Sequence, residues 1–416
     1  MPPEAQEVLG LPDLNHIQTH YGNQRILIEG KLRLRPACPR CGHLQVRIKS
    51  SFPRILRHLR LGNQQIRVRY VSHKFHCQGC KRYFNLRLQG TRPKRRSTEA
   101  FRMEVFERHH GGVSQKHIAS THDISHATVE RWYQGFIKER FGELKGKRTP
   151  RVLGIDEHFF TKKKGYATTF ADLKRHTVFD VVLGRSEQSL ENYLRKMPEK
   201  DRVRIVVMDL SSTYRSIVKK YFPNAKIVAD RFHVVRLIGH QFLKSWAQFD
   251  PVGRKNRGLL SLMRRHEENL KPEQRQKLEL YFTEFPHLKS IWEFKQKLHN
   301  LMRLKMLSKQ STWLVIHDYL QMVRELKKSP IEALRTLGET LSSWRDEIGR
   351  MWRFSKTNSI TEGLHNKMEM ISRRAFGFRN FENYRMRVLA LCGWDGVFRR
   401  RQKLILTLNP IPPISG

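Results

Sequence analysis

Three acidic residues in this chain have the type and placement to hold metal ions. Asp156 and Asp209 lie at or near the ends of two short apolar runs, RVLGID and VRIVVMD, which predict buried strands. Glu362 lies far downstream on a predicted helix, NSITEGLHNKMEMISRR. Proteins usually hold Mg²⁺ with a few carboxylates, and water and substrate phosphates complete its shell. The pattern predicts a metal site at the edge of a sheet and metal-dependent phosphoryl transfer.

Each of these acids also has an ordinary structural interpretation. Asp156 could simply end a strand, and Asp209 could cap a helix that begins at Ser211 by accepting backbone N–H bonds. Ser359 and Glu362 match the capping-box pattern, in which a glutamate at the third helical position bonds back to the cap. Taken singly, each acid leaves both interpretations open.

A fourth acid, Asp230, ends a further apolar strand, AKIVAD, and is followed closely by His233. By its position at a strand end alone, Asp230 competes with Asp209 as a metal ligand. The sequence pattern around the two aspartates does not choose between them.

The composition indicates a polyanionic partner. The chain has 80 Lys and Arg against 38 Asp and Glu, which gives a formal net charge of +42. Between residues 31 and 100, nineteen residues are Lys or Arg and one, Glu99, is acidic. Such a segment gains affinity for nucleic acid from phosphate contacts and counterion release. A ribosomal-type basic protein would not need the three acids, so metal-dependent chemistry on nucleic acid is favoured.

The length of 416 residues allows about two to four domains. The sequence contains no run of about 18 apolar residues that would predict a membrane span. Its first residues, MPPEAQEVLGLPDLNH, lack the basic start and apolar core of a secretion signal. We therefore expect a cytoplasmic protein.

Four of the five cysteines form two CxxC pairs, Cys38 with Cys41 and Cys77 with Cys80. Two such turns can complete a tetrahedral zinc shell. The segment between the pairs contains IRVRYV, whose alternation predicts a half-exposed strand, so we expect a basic antiparallel ribbon over the metal. A redox-active dithiol is the alternative, although it is expected beside a βαβ unit that this segment lacks. Three nearby histidines are alternative ligands: His43, His73 and His76.

A helix-turn-helix is predicted after the basic linker TRPKRRS, which contains Arg95 and Arg96. TEAFRMEVFERHHGG predicts one helix that ends at a glycine pair. VSQKHIASTHDISHATVERWYQGFIKER predicts two helices across a tight turn, with Ser125 as the N-cap of the second. The residues expected to pack between these helices are Ile118, Ala119, Ile124, Val129 and Trp132.

Beside a basic zinc module, this helix pair favours DNA binding over an ordinary helical hairpin. The start of its second helix would enter a major groove. The residues predicted to contact DNA are His126, Thr128 and Arg131 on that helix, and Arg95 and Arg96 in the linker.

From residue 151 onwards the pattern changes to strands. RVLGIDEHFF, YATTFADL and HTVFDVVLG predict a three-strand meander, and a helix–strand–helix–strand series ending at AKIVAD follows. This order is the ribonuclease-H-like arrangement, in which the first strand is central and lies beside the fourth. Asp156 and Asp209 would then be neighbours. From about residue 234 to 350 the pattern is helical, which we interpret as an insertion before the last catalytic helix.

The expected fold is therefore a multidomain α+β protein. It has an N-terminal extension at 1–30, a zinc-binding ribbon at 31–92, a helix-turn-helix at 93–145 and a catalytic domain at 150–405 with the helical insertion.

Several of these segments resemble the ISL-three family of bacterial insertion-sequence transposases. They are the paired CxxC motifs, the helix-turn-helix, LGIDE, VVMDLSSTYR, IVADRFHVVR and NSITEGLHNKMEMISRRAFGFRNFENYRMRVL, and together they span about residues 38–389. The resemblance implies that Asp156, Asp209 and Glu362 form the DDE triad of a transposase. It implies two catalytic Mg²⁺ ions, for which Mn²⁺ can substitute, and one structural Zn²⁺.

Other residues near the triad are expected to orient its ligands or the DNA. The resemblance places Asp230 and His233 in a recurrent motif outside the triad, and Arg231 between them would neutralise a phosphate. Residues three and four positions beyond a helical residue share its face, so His365 and Asn366 should point towards the same site as the triad glutamate.

The implied activity is binding of terminal inverted repeats in double-stranded DNA, followed by cleavage and strand transfer. Water would attack a phosphodiester and free a 3′-hydroxyl, which would then attack target DNA, as two-metal sites allow. Because two ends are joined, we expect a homodimer, associated with the bacterial nucleoid. The alternatives are a DNA-binding regulator derived from a transposase, which would not need the acids, and a nuclease of the same fold, which would cleave without joining.

Overall fold

The computed structural model describes residues 10–32, 36–85, 88–92, 94–143, 148–354 and 359–393, with the backbone alone described at 140–143 and 359. The chain divides into two units, Met1–Lys145 and Gly146–Gly416. Within the described ranges, no helix has both the length and the apolar character needed to cross a membrane.

The first unit begins with a five-stranded sheet. Its strands are β1 (Leu14–Tyr21), β2 (Arg25–Leu32), β3 (Val46–Leu61), β4 (Gln64–Cys77) and β5 (Tyr83–Asn85). The order is β1-β2-β4-β3, with β5 paired to β4. Strands β3 and β4 form the expected basic antiparallel ribbon, and a turn at Gly62, with φ +57°, connects them.

The predicted boundary at residue 30 needs correction, because it falls inside β2. This strand pairs in parallel with β4, so that Ile26 faces Ile66 and Ile28 faces Val68 across the ladder. Ile26, Ile28 and Val68 are buried in one core, together with Leu56 of β3. The N-terminal segment is therefore part of the ribbon's sheet. The signal in the sequence was the apolar residues at alternate positions of RILIEGKL, and these residues are the buried ones.

Three helices complete the first unit: α1 (Glu99–His110), α2 (Gln115–His122) and α3 (His126–Glu143). All five residues expected to pack between the helices belong to one apolar cluster with Phe101 and Val105 of α1. Ser125 caps α3, since its Oγ accepts the backbone N–H of Thr128 at 3.2 Å. Asp123 makes the tight turn in the left-handed region, with φ +52°.

The second unit contains a mixed five-stranded sheet. Its strands are β6 (Val152–Thr161), β7 (Gly165–Asp172), β8 (Thr177–Leu183), β9 (Ile205–Met208) and β10 (Lys226–Ala229). The order is β10-β9-β6-β7-β8. Strands β6, β7 and β8 form an antiparallel meander, whereas β6, β9 and β10 are parallel. Strand β6 is central and β9 lies beside it, in the order expected from the sequence.

The helices of the second unit fall into three groups. Two alternate with the parallel strands, α4 (Glu187–Lys196) and α5 (Ser212–Tyr221). Eight form a helical region from residue 231 to 351: α6 (Arg231–Phe249), α7 (Pro251–Lys255), α8 (Arg257–Arg264), α9 (Pro272–Glu284), α10 (Pro286–Arg303), α11 (Lys309–Lys327), α12 (Glu332–Ser343) and α13 (Arg345–Met351). The chain then returns to the sheet with α14 (Ser359–Arg374) and α15 (Phe381–Val388).

Buried polar contacts fix the end of the helical region against the sheet. Arg215 of α5 donates to both carboxylate oxygens of Glu347, at 2.8 and 2.6 Å, and Glu347 is buried. Arg350 donates to the backbone carbonyl of Ile227 in β10 at 3.0 Å. Because these bonds link residues far apart in sequence, they return the chain to the sheet after more than a hundred residues.

The expectation that Arg231 neutralises a phosphate is wrong. Its guanidinium donates to the backbone carbonyl of Met302 at the end of α10 and to that of Met351 in α13, the second at 3.0 Å. A guanidinium shared between two helix ends has a structural role, because it satisfies carbonyls that the helices leave unpaired. Arg231 therefore anchors the start of α6 inside the helical region.

An ion pair holds α15 against the meander. Arg385 donates to both oxygens of Asp180 in β8, at 2.7 and 2.9 Å, in the bidentate geometry that gives strong carboxylate pairs. Both side chains are mostly buried, with 20% and 13% exposed. Arg385 also contacts Glu382 at 2.9 Å, but that carboxylate is 59% exposed.

We expect Asp180→Ala to lower the free energy of unfolding by about 2–3 kcal/mol. Removing one member of a buried pair leaves the other charge uncompensated, and partial exposure of this pair places the effect below the fully buried range. Urea unfolding followed by circular dichroism measures it. Glu382→Ala is the matched control and should cost less than about 1 kcal/mol, as exposed pairs do. Equal losses in the two variants would contradict the assignment.

Candidate active site and nucleic-acid interface

Three aspartates lie side by side where the parallel pairing of β6, β9 and β10 ends. The ladders pair Ile155 with Met208 and Met208 with Ala229. Asp156, Asp209 and Asp230 each come one residue later, so they occupy the same level on three adjacent strands. Neighbouring strands are about 4.8 Å apart, which brings the three carboxylates into electrostatic range of one another.

Asp209 has an oxygen that suits a metal. Its Oδ1 is buried and has no hydrogen-bond partner among the described residues. The alternative role of Asp209 as a helix cap is wrong, because Ser211 caps α5 by accepting the N–H of Tyr214 at 3.3 Å. A buried carboxylate oxygen without a partner is costly unless an ion or water satisfies it. This oxygen is therefore available to a cation.

Asp230 is already engaged by the protein. It caps α6, and its Oδ2 lies 2.7 Å from Nδ1 of His233. That hydrogen bond raises the pKa of His233, and the charges of Asp156 and Asp209 raise it further. The raised pKa favours the protonated form of His233 beside the three aspartates. Asp230 and His233 therefore lie beside Asp156 and Asp209, and their orienting role stays a prediction.

Burial makes the cluster electrostatically unfavourable without further cations. It raises the pKa of Asp156 to about 7; Asp209 and Asp230 add to this rise, whereas His233 opposes it. Burial also raises the pKa of Asp209, with further contributions from Glu157 and Asp230. A divalent cation would reverse this effect, because its charge favours the ionised carboxylates. The donor set therefore fits a hard, oxygen-preferring metal.

Glu362 lies on α14, whose first turn contacts strand β6. Gly154 permits this contact, since a Cβ there would come within 2.9 Å of Oγ1 of Thr361. Glu362 itself is exposed. The capping-box alternative needs Ser359 as the cap, whereas the helix begins at Ser359, so Glu362 occupies the fourth helical position. Among the described residues, no set of three carboxylates has its ligand oxygens within 4.8 Å of one another. Asp156, Asp209 and Glu362 therefore do not form a compact metal shell in this structure.

A polar network of side chains, which the sequence predicted only in part, lies beside Asp156. Nδ1 of His365 lies 3.9 Å from its carboxylate, and Nε2 lies 3.0 Å from Oγ1 of Thr169 on β7. The same hydroxyl contacts Nδ1 of His158 at 3.0 Å, and Nε2 of His158 contacts the hydroxyl of Tyr384 at 2.9 Å. The network joins β6, β7, α14 and α15 behind the carboxylates.

Part of this network was readable from the sequence. His365 was expected near the site from its helical spacing, and the structure places it there. His158 follows Asp156 by two residues, so both share one face of β6. Thr169 and Tyr384 had no local signal. Asn366, also expected to face the site, is exposed.

The four paired cysteines converge on one point in the first unit. All four sulfur atoms lie within 4.8 Å of one another. Cys38 and Cys80 are 3.7 Å apart, and Cys41 and Cys77 are 3.6 Å apart. Zn–S bonds of about 2.3 Å in a tetrahedron separate sulfurs by about 3.8 Å. The cluster therefore fits one zinc ion, and the three candidate histidines are not part of it.

The two cysteine turns have the same backbone shape. Gly42 and Lys81, which follow the second cysteine of each pair, both have positive φ, +72° and +55°. Backbone N–H groups of Cys41 and Arg40 lower the pKa of Cys38 to about 6. N–H groups aimed at a sulfur favour the thiolate, which is the form that binds metal.

Most of the residues predicted to contact DNA line one cleft in the first unit. This cleft, of about 670 Å³, is bounded by the linker, strand β3 and the start of α3. Four of the five predicted residues line it: Arg95, Arg96, Thr128 and Arg131. The fifth, His126, is exposed and does not line the cleft. Lys94 and Arg57 add further positive charge.

The linker and the helix-turn-helix are both fastened to the sheet. The backbone carbonyl of Arg96 accepts the N–H of Arg57 at 2.9 Å. Asp123, in the turn between α2 and α3, lies 2.9 Å from Arg67 and 3.8 Å from both Arg25 and Arg57. These three arginines come from β2, β4 and β3. No local pattern predicts this contact, because it joins four segments distant along the chain.

Comparison with known proteins agrees with these features. A family model described as "Transposase" matches residues 153–388, from β6 to α15. A second, described as "Helix-turn-helix domain of transposase family ISL3", matches residues 87–136. The chain belongs to the ISL3 family of transposases. The resemblance and the helix-turn-helix predicted from the sequence are both confirmed.

A curated relative supports this membership of the ISL3 family. The chain is 25% identical over 248 residues to the "Transposase for insertion sequence element IS1001" of Bordetella parapertussis. The match covers 57% of this chain and 60% of that relative's length.

We expect the purified chain to contain one zinc ion, lost in Cys77→Ser. A buried serine cannot replace a thiolate in a four-cysteine shell, and metal binding supplies folding free energy to such a site. Zinc is measured by mass spectrometry after gel filtration. Cys392→Ala removes the fifth cysteine, outside the cluster, and should retain the metal. Full zinc occupancy in Cys77→Ser would contradict the assignment.

Proposed function

We propose that this ISL3-family protein is a DDE transposase that binds the terminal inverted repeats of an insertion sequence and catalyses cleavage and strand transfer. The observation that carries the proposal is the alignment of Asp156, Asp209 and Asp230 on three parallel strands, with a buried oxygen of Asp209 left without a partner. The strand order and the interleaved helices support a ribonuclease-H-like core with a helical insertion.

Asp156, Asp209 and Glu362 would hold Mg²⁺, with Mn²⁺ as a substitute. When bound, the metal stabilises charge on the attacking and leaving oxygens of a phosphodiester. The protein's own groups prepare this site. Asp230 orients His233, and the network from His365 to Tyr384 limits the movement of Asp156. Two reactions would follow at this site: water releases a 3′-hydroxyl at the element's end, and that hydroxyl attacks target DNA.

The first unit would supply recognition of the repeats. The cleft beside α3 places basic groups for phosphates near the helix that would read a major groove. The zinc ribbon and Asp123 would hold the linker and helices in one orientation. Because two ends must be joined, we propose that a homodimer performs the reaction.

We expect Asp156→Asn and Asp209→Asn to abolish cleavage while DNA binding is retained. Loss of a single charge-stabilising group can cost about 10²–10³ in rate, and loss of a metal ligand should cost at least as much. Linear DNA carrying the sequences that flank the gene is incubated with Mg²⁺, and cleaved and joined products are separated on gels. Asp201→Asn, an exposed aspartate of the same unit, is the matched control.

The products of this assay separate the candidate functions. Cleavage with joining supports a transposase, cleavage alone a nuclease, and binding alone a regulator. Full activity of Asp156→Asn would rule out the proposed site.

We expect Glu362→Gln to abolish cleavage without a change in the unfolding midpoint. Glutamine keeps the hydrogen-bonding shape of the side chain but removes the charge that a divalent metal needs. Cleavage and thermal unfolding are measured on the same preparation. If Glu362 only supports the start of α14, cleavage will persist, and the third ligand must be sought elsewhere.

A further inference from the structure

A basic cavity lies in the helical region, apart from the aspartate cluster. It has a volume of about 330 Å³ and is enclosed by α6, α8 and α10. Five of the eight residues that line it carry basic side chains, and none is acidic: Arg236, His240, Arg264, Lys295 and His299. A cavity of this composition favours an anion.

Two buried groups form the inner wall of this cavity. Lys295 is 4% exposed, and its ammonium donates to the carbonyls of Met263 and Arg264 at 2.7 and 3.2 Å. His299 is 6% exposed, and its Nε2 is buried with no hydrogen-bond partner among the described residues. Burial lowers the pKa of His299 to about 3, so the ring is neutral and can donate one N–H. In the tautomer with its proton on Nε2, an anion oxygen would satisfy this nitrogen.

The mouth of the cavity is lined by exposed basic side chains. Arg236, His240 and Arg264 are all exposed. Gly239 lies between Arg236 and His240 on α6, and a Cβ there would meet nothing within 4 Å. Glycine inside a helix is unfavourable, and the open space around Gly239 shows that close packing does not require a glycine at this position. Its missing side chain leaves the entrance wide.

The cavity is connected to the aspartate cluster through α6. His233, Arg236 and His240 are spaced by three and four residues, which places them on one face of the helix. His233 contacts Asp230 at one end, and His240 lines the cavity at the other. At 1.5 Å per residue, these histidines are about 10 Å apart along the axis. One DNA strand advances about 3.4 Å per nucleotide, so this distance spans about three nucleotides.

We propose that this cavity binds a backbone phosphate of the DNA substrate about three nucleotides from the cleaved bond. The inference rests on the proposed function, since it takes the aspartate cluster as the cleavage site. Arg236 and Arg264 would hold the phosphate at the mouth, and His299 would donate to one of its oxygens from within. The α6 face would thereby fix the register of the strand at the aspartates.

The first test measures DNA affinity against salt for the full-length protein. Each phosphate contact contributes about 0.9 to the slope of log affinity against log salt, so Arg236→Gln/Arg264→Gln, which removes one contact, should reduce the slope by about one. Lys277→Gln/Lys297→Gln is the matched control, because both lysines are exposed in the same region, outside the cavity, and the net charge changes equally. Equal slopes for the two double variants would overturn the proposal.

A second variant tests the cavity without removing charge. Gly239→Leu should block the entrance and weaken DNA binding about tenfold, as loss of a buried phosphate contact would, whereas Gly239→Ala should bind like the wild type. Both substitutions favour the helix, and the Cβ that each adds meets no atom within 4 Å, so we expect both variants to fold. Unchanged binding by Gly239→Leu would count against a phosphate in the cavity.

A third measurement locates the phosphate. Neutral methylphosphonates replace single phosphates on either side of the cleaved bond, and one about three nucleotides away should weaken binding to the wild type but not to Arg236→Gln/Arg264→Gln. Inorganic phosphate is added separately. If it raises the unfolding temperature of the wild type but not of Gly239→Leu, while the DNA data are unchanged, the cavity is a site for small anions and the DNA proposal fails.

These outcomes are separable from the proposed function. If the wild type does not cleave DNA, the proposed function fails, although the salt dependence still reports on the cavity. If the wild type cleaves and the cavity variants match their controls, only the cavity inference fails.

Discussion

The parallel register of β6, β9 and β10 is the constraint on which the catalytic unit depends. A shift of one residue in either ladder would move an aspartate to the opposite face of the sheet, because side chains alternate along a strand. The buried residues next to the aspartates, Ile155 and Met208 among them, resist such a shift. The same apolar packing that stabilises the sheet thus places Asp156 and Asp209 together, at a cost in electrostatic energy that a bound cation would offset.

The helical region contributes to this site through its two ends. Its first helix, α6, is capped by Asp230, so α6 leaves directly from the aspartate cluster. Its last helix returns to the sheet through Arg215, Glu347 and Arg350, and Arg231 joins both ends of the region internally. A long insertion can be accommodated because its ends are fixed close to the sheet. This arrangement also gives α6 a fixed direction from the cluster to the basic cavity.

The first unit contains a cluster of four cysteines that could hold zinc, and ionic contacts between its helices and its sheet. The cysteine cluster fixes the ends of the ribbon, and Asp123 attaches the helix-turn-helix to three strands. A single carboxylate among three arginines leaves surplus positive charge beside the cleft. Arg57 belongs to both the ion pair with Asp123 and the cleft, so this arginine serves both the structure and the proposed recognition.

Local periodicity, capping and spacing were enough to predict the elements, the cysteine pairs, the helix-turn-helix and the candidate acids. The succession of the meander and the alternating helices also predicted the order of the strands. The roles of individual side chains depend on the tertiary structure. Arg231 binds helix ends inside the helical region, and Ser211 rather than Asp209 caps α5. The N-terminal segment forms strands of the ribbon's sheet. Contacts such as Asp123 with Arg67 and His365 with Thr169 join residues distant along the chain, and local patterns carry no information about such pairs.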